Sequence, residues 1–297
     1  MNRTQKLFLI SAIAGLITGI ILKTFLRSGY VPSDTTPQRI ISIGPNITEI
    51  IYALGQQHKL VGVDDFSRYP SPAESIPRVG GVINPNLEKI ISLQPDIVFL
   101  SGNSQKIKEF CNDHSIQCIG YEFTDLKSVF YSIQDMGKLL DAQSQADTLL
   151  NLLKASFDSI QLSSISRDIT VLTVIPYQQD LTKFMTTSGN SFIGEIIELA
   201  GGENVIGNQA VIFPEISQEA VLLSDPQLIL ILASPLSPDS ADSADLVKQW
   251  IDLYPQSTAT KNNQIYILSD DYLLIPGPRI ILIAQRIDEI FENYSKH

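Results

Sequence analysis

Residues 39–55 read Arg39-Ile40-Ile41-Ser42-Ile43-Gly44-Pro45-Asn46-Ile47-Thr48-Glu49-Ile50-Ile51-Tyr52-Ala53-Leu54-Gly55, and this stretch decides the fold. Residues 39–43 are mostly β-branched and apolar and halt at Gly44-Pro45, which predicts a short buried strand. Apolar residues then recur at three- and four-residue steps up to Gly55, which predicts a helix capped by Asn46 or Thr48 and stopped by the glycine. The pattern repeats downstream. Leu60-Val61-Gly62-Val63 reads as a second strand, followed by a loop rich in proline. Asn86 caps a helix over 87–93, and residues 96–100 read as another buried strand. Alternating strands and helices with short connections predict a parallel α/β lobe.

A weak internal repeat predicts a second lobe. Ile47-Thr48-Glu49-Ile50-Ile51 with Gly55 matches Ile193-Gly194-Glu195-Ile196-Ile197 with Gly201. Glu88-Lys89-Ile90-Ile91 precedes Pro95, and Glu219-Ala220-Val221-Leu222 precedes Pro226, with an apolar strand after each proline. The two matched pairs keep their order, which favours two similar lobes over one large sheet. Between the copies, Val129, Ile133, Met136, Leu140, Leu149, Leu153, Phe157 and Ile160 recur mostly at helical spacing, and 143–161 contains neither glycine nor proline. The expected organisation is an N-terminal segment over 1–28, a linker over 29–38, a lobe over 39–142, a spine helix over 143–162 and a second lobe over 163–297. A helix rather than a loop between lobes predicts a stiff hinge.

Composition narrows the function. The net charge is −11, and all four basic residues before Gly29 (Arg3, Lys6, Lys23, Arg27) flank or enter the first apolar run. The remainder holds 17 basic residues against 32 acidic ones. Such a body repels phosphate backbones and anionic lipid, which argues against nucleic-acid binding. Residues 7–22 carry no charge and the apolar stretch resumes to Leu26, long enough for a membrane-spanning helix. The residues after it, Lys23 to Arg27, make a poor cleavage site, so an uncleaved anchor is expected over a cleaved signal peptide. No cysteine follows closely enough for a lipid anchor. Cys111 and Cys118 lack metal or redox spacing, and the three histidines are scattered, so no metal site or cofactor is expected. Whether the two cysteines bridge stays open at this stage.

These stretches resemble the cobalamin and ferric-siderophore periplasmic binding proteins, the substrate-binding components of ABC importers. The likeness lies in RIISIGPNITEIIYALG (39–55), LVGVDDFSRYP (60–70), GGVINPNLEKIISLQPDIV (80–98), TSGNSFIGEIIELAGGEN (187–204), 213–231 and PRIILIAQ (278–285), and is nearest to the cobalamin-binding branch. The resemblance implies two Rossmann-like α/β lobes joined by one long helix, no catalysis, and a corrinoid or ferric-siderophore ligand held between the lobes. It places ligand contacts at Phe66, Val82, Ser101, Thr186, Phe213, Asp270, Asp271 and Tyr272. Of Phe66, Val82, Ser101, Thr186 and Phe213, only Phe66 and Phe213 keep an aromatic ring where cobalamin binders carry several, the late loop keeps an acid and the aromatic Tyr272, and core filler is the competing reading of Phe66. The resemblance further implies docking through Glu88 and Glu219 to an ABC permease dimer with its ATPase, outside the cytoplasm. Two other readings stand beside it. One is a membrane-anchored α/β enzyme using Asp64-Asp65 and Asp270-Asp271 for Mg²⁺ or acid–base chemistry. The other is a lobe pair reused as a sensor.

Overall fold

The computed structural model describes residues 36–164, 167–177, 180–233 and 241–294. Chain order begins with β1 (Ile40–Ile43), α1 (Pro45–Ala53), β2 (Leu60–Val63), α2 (Leu87–Ser92), β3 (Ile97–Ser101), α3 (Gln105–Asp113), β4 (Gln117–Tyr121) and α4 (Leu126–Leu139). These strands form an all-parallel sheet in the order β2-β1-β3-β4. β1 and β3 are central and covered on both faces, which is why both are nearly continuous apolar runs. β4 lies at the edge and mixes in Gln117, Cys118 and Gly120.

The helix α5 (Gln143–Ser163) leads to the second lobe. Its 21 residues extend about 30 Å. Next come β5 (Ile169–Tyr177), β6 (Asp180–Met185), α6 (Phe192–Leu199), β7 (Gly202–Asn204), α7 (Gln218–Ser224), β8 (Leu228–Leu232), α8 (Ala241–Leu253), α9 (Thr258–Lys261), β9 (Ile265–Leu268) and α10 (Ile280–Tyr294). The sheet runs β6-β5-β8-β9 with β7 beside β5. It is parallel except for the β5–β6 hairpin. One apolar cluster runs from Ile40 through Leu153 and Phe157 of α5 to Phe291 of α10, so the two lobes share a core along the helix that joins them.

The structure differs from the sequence reading at several points. Neither Asn46 nor Thr48 caps α1. The cap is Gly44 at φ 134°, with Pro45 opening the helix. A side chain cannot sit at Gly44, because its Cβ would fall 2.4 Å from the Ser101 Cβ. Thr48 instead bonds to Ser42 and Ser67. The division between α4 and α5 falls at Asp141, whose φ of 57° is left-handed, beside the expected start of the spine helix at 143. The antiparallel β6 was not anticipated. Among the described residues no helix is long and apolar enough to cross a membrane, and the expected anchor over 1–28 lies outside them.

α4 and α5 approach closely because Gly137 has no side chain. A Cβ there would stand 2.5 Å from the Ala146 Cβ. Gly137→Val is therefore expected to lower stability by about 1–3 kcal/mol through overpacking. Leu152→Ala, on the exposed face of α5, should change it by no more than about 0.5 kcal/mol. Urea unfolding of both variants checks this.

Candidate ligand-binding site

The carboxyl ends of the parallel strands gather the loops that a cleft needs. After β2, the loop 64–70 is organised around Asp64, which is completely buried. The Gly44 amide donates to its Oδ2 at 2.9 Å, the Phe66 amide donates to Oδ1 at 2.8 Å, and the Ser67 hydroxyl donates to Oδ2. The chain of hydroxyls Ser42–Thr48–Ser67 continues this network into β1 and α1. Arg78 braces the loop from outside by donating to the carbonyls of Asp64 (2.7 Å) and Ser67 (2.8 Å). The scaffold thrusts Phe66 outward, 61% exposed, and Tyr69 beside it, 47% exposed. Phe66 is not core filler.

Facing this loop is Arg279, at the start of α10 in the other lobe. Its Nε and Nη2 donate to the two carboxylate oxygens of Glu49 on α1, at 3.0 and 2.6 Å. Its Nη1 donates to Asp271 at 2.7 Å. The guanidinium lies 3.9 Å from the centre of the Tyr69 ring and 5.4 Å from that of Tyr272. Glu49 is 3% and Arg279 9% exposed. Burial pushes the Glu49 carboxyl above its ordinary value, and the hydrogen bonds and charge of Arg279 oppose that push.

A second carboxylate crosses the junction in the opposite sense. Glu195 on α6 accepts the Leu126 amide at the start of α4, 2.7 Å away, and Phe192 N–H donates to the Thr124 carbonyl nearby. Burial raises the Glu195 carboxyl, while the Leu126 amide resists. Glu49 and Glu195 are the matched glutamates of the internal repeat. Each lobe thus holds its copy of one glutamate against the other lobe, Glu49 on the Arg279 guanidinium and Glu195 on the amide at the start of α4, where the helix dipole favours an anion.

The residues named from the sequence fall into several settings. Ser101 ends β3 under Gly44, half-buried. Val82 is half-buried against the core on the α2–α3 side of the first sheet. Thr186 is completely buried, with its hydroxyl on that of Thr173. Phe213 packs on the shared core in a segment that runs beside residues 185–188, since Thr186 N–H donates to the Pro214 carbonyl. A cavity of about 290 Å³ beneath is lined by Thr186, Val205, Ile206, Gln209 and Pro214. Asp271 and Tyr272 meet at Arg279, and Asp270 hydrogen-bonds Tyr272 and helps burial to raise the Tyr272 phenol. Glu88 and Glu219 stand apart and exposed, in the first turns of α2 and α7. The two helices have equivalent caps, Asn86 accepting the Lys89 amide and Ser217 the Ala220 amide. Glu219 is held below its ordinary value by its own amide and the Ser217 hydroxyl.

A sequence profile described as "Periplasmic binding protein" matches residues 40–272, most of the chain. The chain belongs to the periplasmic binding protein family. As a periplasmic binding protein it is a substrate-binding protein of ABC-import type rather than an enzyme, in a family that works outside the cytoplasm. The "Vitamin B12-binding protein" of Vibrio vulnificus is 29% identical over 263 residues, covering 87% of this chain and 92% of that one. An "Uncharacterized ABC transporter substrate-binding lipoprotein" of Bacillus subtilis is 27% identical over 86% of this chain and 80% of its own length. Among solved structures, the periplasmic vitamin B12 binding protein BtuF of Vibrio cholerae superposes with a TM-score of 0.74, at 23% identity over 88% of this chain and 99% of that one. The periplasmic heme binding protein HutB of the same organism has the same TM-score, at 21% identity over 85% and 98%.

The alternative use of Asp64-Asp65 and Asp270-Asp271 in metal or acid–base chemistry is opposed by the geometry of Asp64 and Asp271. The oxygens of Asp64 are occupied by three donors, and Asp271 pairs with Arg279. Among the described residues no cluster of His, Cys, Asp and Glu is placed to hold a metal. Arg279 and Glu49 were quoted within motifs but given no role. The available signal was a glutamate on the apolar face of α1. Arg78 is engaged with backbone carbonyls.

Asp64→Ala should leave three buried or partly buried donors unsatisfied and cost about 2–3 kcal/mol. Residues 64–70 should then lose their slow amide exchange while the core of β3 keeps it, as read by hydrogen–deuterium exchange.

Proposed function

We propose that this periplasmic binding protein captures a corrinoid between its lobes and delivers it to the membrane permease of an ABC importer. The carrying observation is the Phe66–Tyr69 edge, two exposed aromatics on a loop pinned from behind by Asp64, at the junction where Arg279 of the other lobe stacks on Tyr69. A corrin offers a broad apolar face with polar amides at its rim, and a rigid aromatic contact suits the former. Relatives named as vitamin B12-binding support the choice of ligand. Phe66, Val82, Ser101, Phe213, Asp270, Asp271 and Tyr272 form the proposed contact set. Thr186, completely buried, reaches ligand only if the segment over it moves.

Glu88 and Glu219 are proposed to dock on basic residues of a permease dimer. Both are exposed, both sit at matched helix starts, and the internal repeat relates them as a two-subunit permease requires. The apolar run over 7–22 supports an N-terminal tether that keeps the body near that permease, joined by the linker 29–38.

A metal chelate is a second reading, favoured by the exposed phenol of Tyr69, a hard oxygen donor suited to ferric iron. Titration calorimetry of the chain from residue 29 with cyanocobalamin, with ferric hydroxamate and heme in parallel, separates these. Sub-micromolar cobalamin binding, weakened about tenfold or more by Phe66→Ala, is the expected result. Binding of an iron ligand alone would replace the corrinoid reading with the second.

The Glu88→Ala/Glu219→Ala double variant should keep ligand affinity and lose most uptake in cells expressing the cognate importer. Undiminished uptake would remove the docking assignment.

A further inference from the structure

Cys111 and Cys118 play no part in the cleft, and their placement supports an inference of its own. Cys111 is on α3, completely buried, and Cys118 is on β4, half-buried. Both are reduced thiols in this structure. They lie in one apolar cluster, with Ile107 of α3 and Val98 of β3 around them. Val98 is the register partner of Cys118. The turn between α3 and β4 is short and left-handed at Ser115 (φ 56°), so it returns the chain directly beneath the helix. Two thiols in one apolar cluster, on elements tied at this point by the Ile116 amide donating to the Cys111 carbonyl at 2.8 Å, need little backbone movement to reach bonding distance.

We propose that Cys111 and Cys118 form an intramolecular disulfide that clamps α3 to the edge of the first sheet. The family works outside the cytoplasm, where disulfide oxidants are available. Cys118, the more accessible, attacks the S–S bond of an exogenous disulfide as its thiolate and forms a mixed disulfide, releasing one thiol. Cys111 then attacks the Cys118 sulfur as its thiolate, forming the internal bond and releasing the second thiol. The two cysteine protons end on the two released thiols, and the exogenous disulfide takes the two electrons.

The clamp lies on the wall that carries Ser101, at the level of Val98 and toward the end of β4 opposite the candidate cleft. The β3–α3 connection begins at Ser101, and Gly102 N–H donates to the Tyr121 carbonyl at the end of β4. Gly120 passes so close to the Gly102 carbonyl that a Cβ there would stand 2.4 Å from it. Fixing α3 against β4 therefore steadies the wall that carries Ser101. An edge strand is held by one neighbour only, so the covalent link acts where the sheet is weakest.

The test uses the full chain in detergent, treated with oxidised glutathione and compared with a sample held in dithiothreitol. The expected result is a monomer lighter by about 2 Da that no longer reacts with a thiol reagent under denaturing conditions. The oxidised chain should also melt several degrees higher. Cys118→Ser and Cys111→Ser should each abolish the mass change, and the former, at the half-buried position, guards against misfolding of the latter. An unchanged mass, a persistent glutathione adduct or a disulfide-linked dimer would each overturn the proposal.

Discussion

The buried pair between Arg279 and Glu49 is the constraint on which the arrangement of the two lobes depends. Residues 230 positions apart are joined by two hydrogen bonds, and a third from the same guanidinium fixes Asp271. Removing two charges from water is costly, and the pair is tolerable only because both carboxylate oxygens and all three guanidinium nitrogens find acceptors or donors. Breaking such a pair from one side strands the other charge. The pair therefore specifies one relation between α1 and α10, and with it the positions of Tyr69 and Tyr272 on either side of the guanidinium. The Glu195 contact with the start of α4 supplies a second strut of related origin, using an amide in place of a guanidinium. Two struts and a helix with an apolar face continuous with both cores leave the lobes small adjustments rather than wide opening.

Local signals in the sequence were enough for much of this. β1, β2, α2 and β3 follow from apolar runs broken by glycine, proline and a capping Asn86, because those interactions span only a few residues. The repeat disclosed the matched starts of α2 and α7, with Glu88 and Glu219 in identical places. The cap of α1 was misread because Thr48 and Asn46 resemble caps locally. What decides is remote: Gly44 lies against Ser101, and its amide is taken by Asp64.

The same limit explains the site. Phe66 could be read as core or contact from its neighbours in sequence. Only the three donors converging on Asp64 turn it outward. Arg279 and Glu49 each look like ordinary helix residues until a partner from the other lobe is known. Thr186, at a matching position, has its hydroxyl turned inward to Thr173, a contact that its neighbours in sequence do not reveal.

A double-mutant cycle on Glu49→Ala and Arg279→Ala, followed by urea unfolding, tests the central claim most directly. Each single substitution is expected to cost about 3–5 kcal/mol, and the double to cost well below their sum, with a coupling above about 1.5 kcal/mol. Additive effects, or single variants within about 0.5 kcal/mol of the parent, would show that the pair does not hold the lobes together.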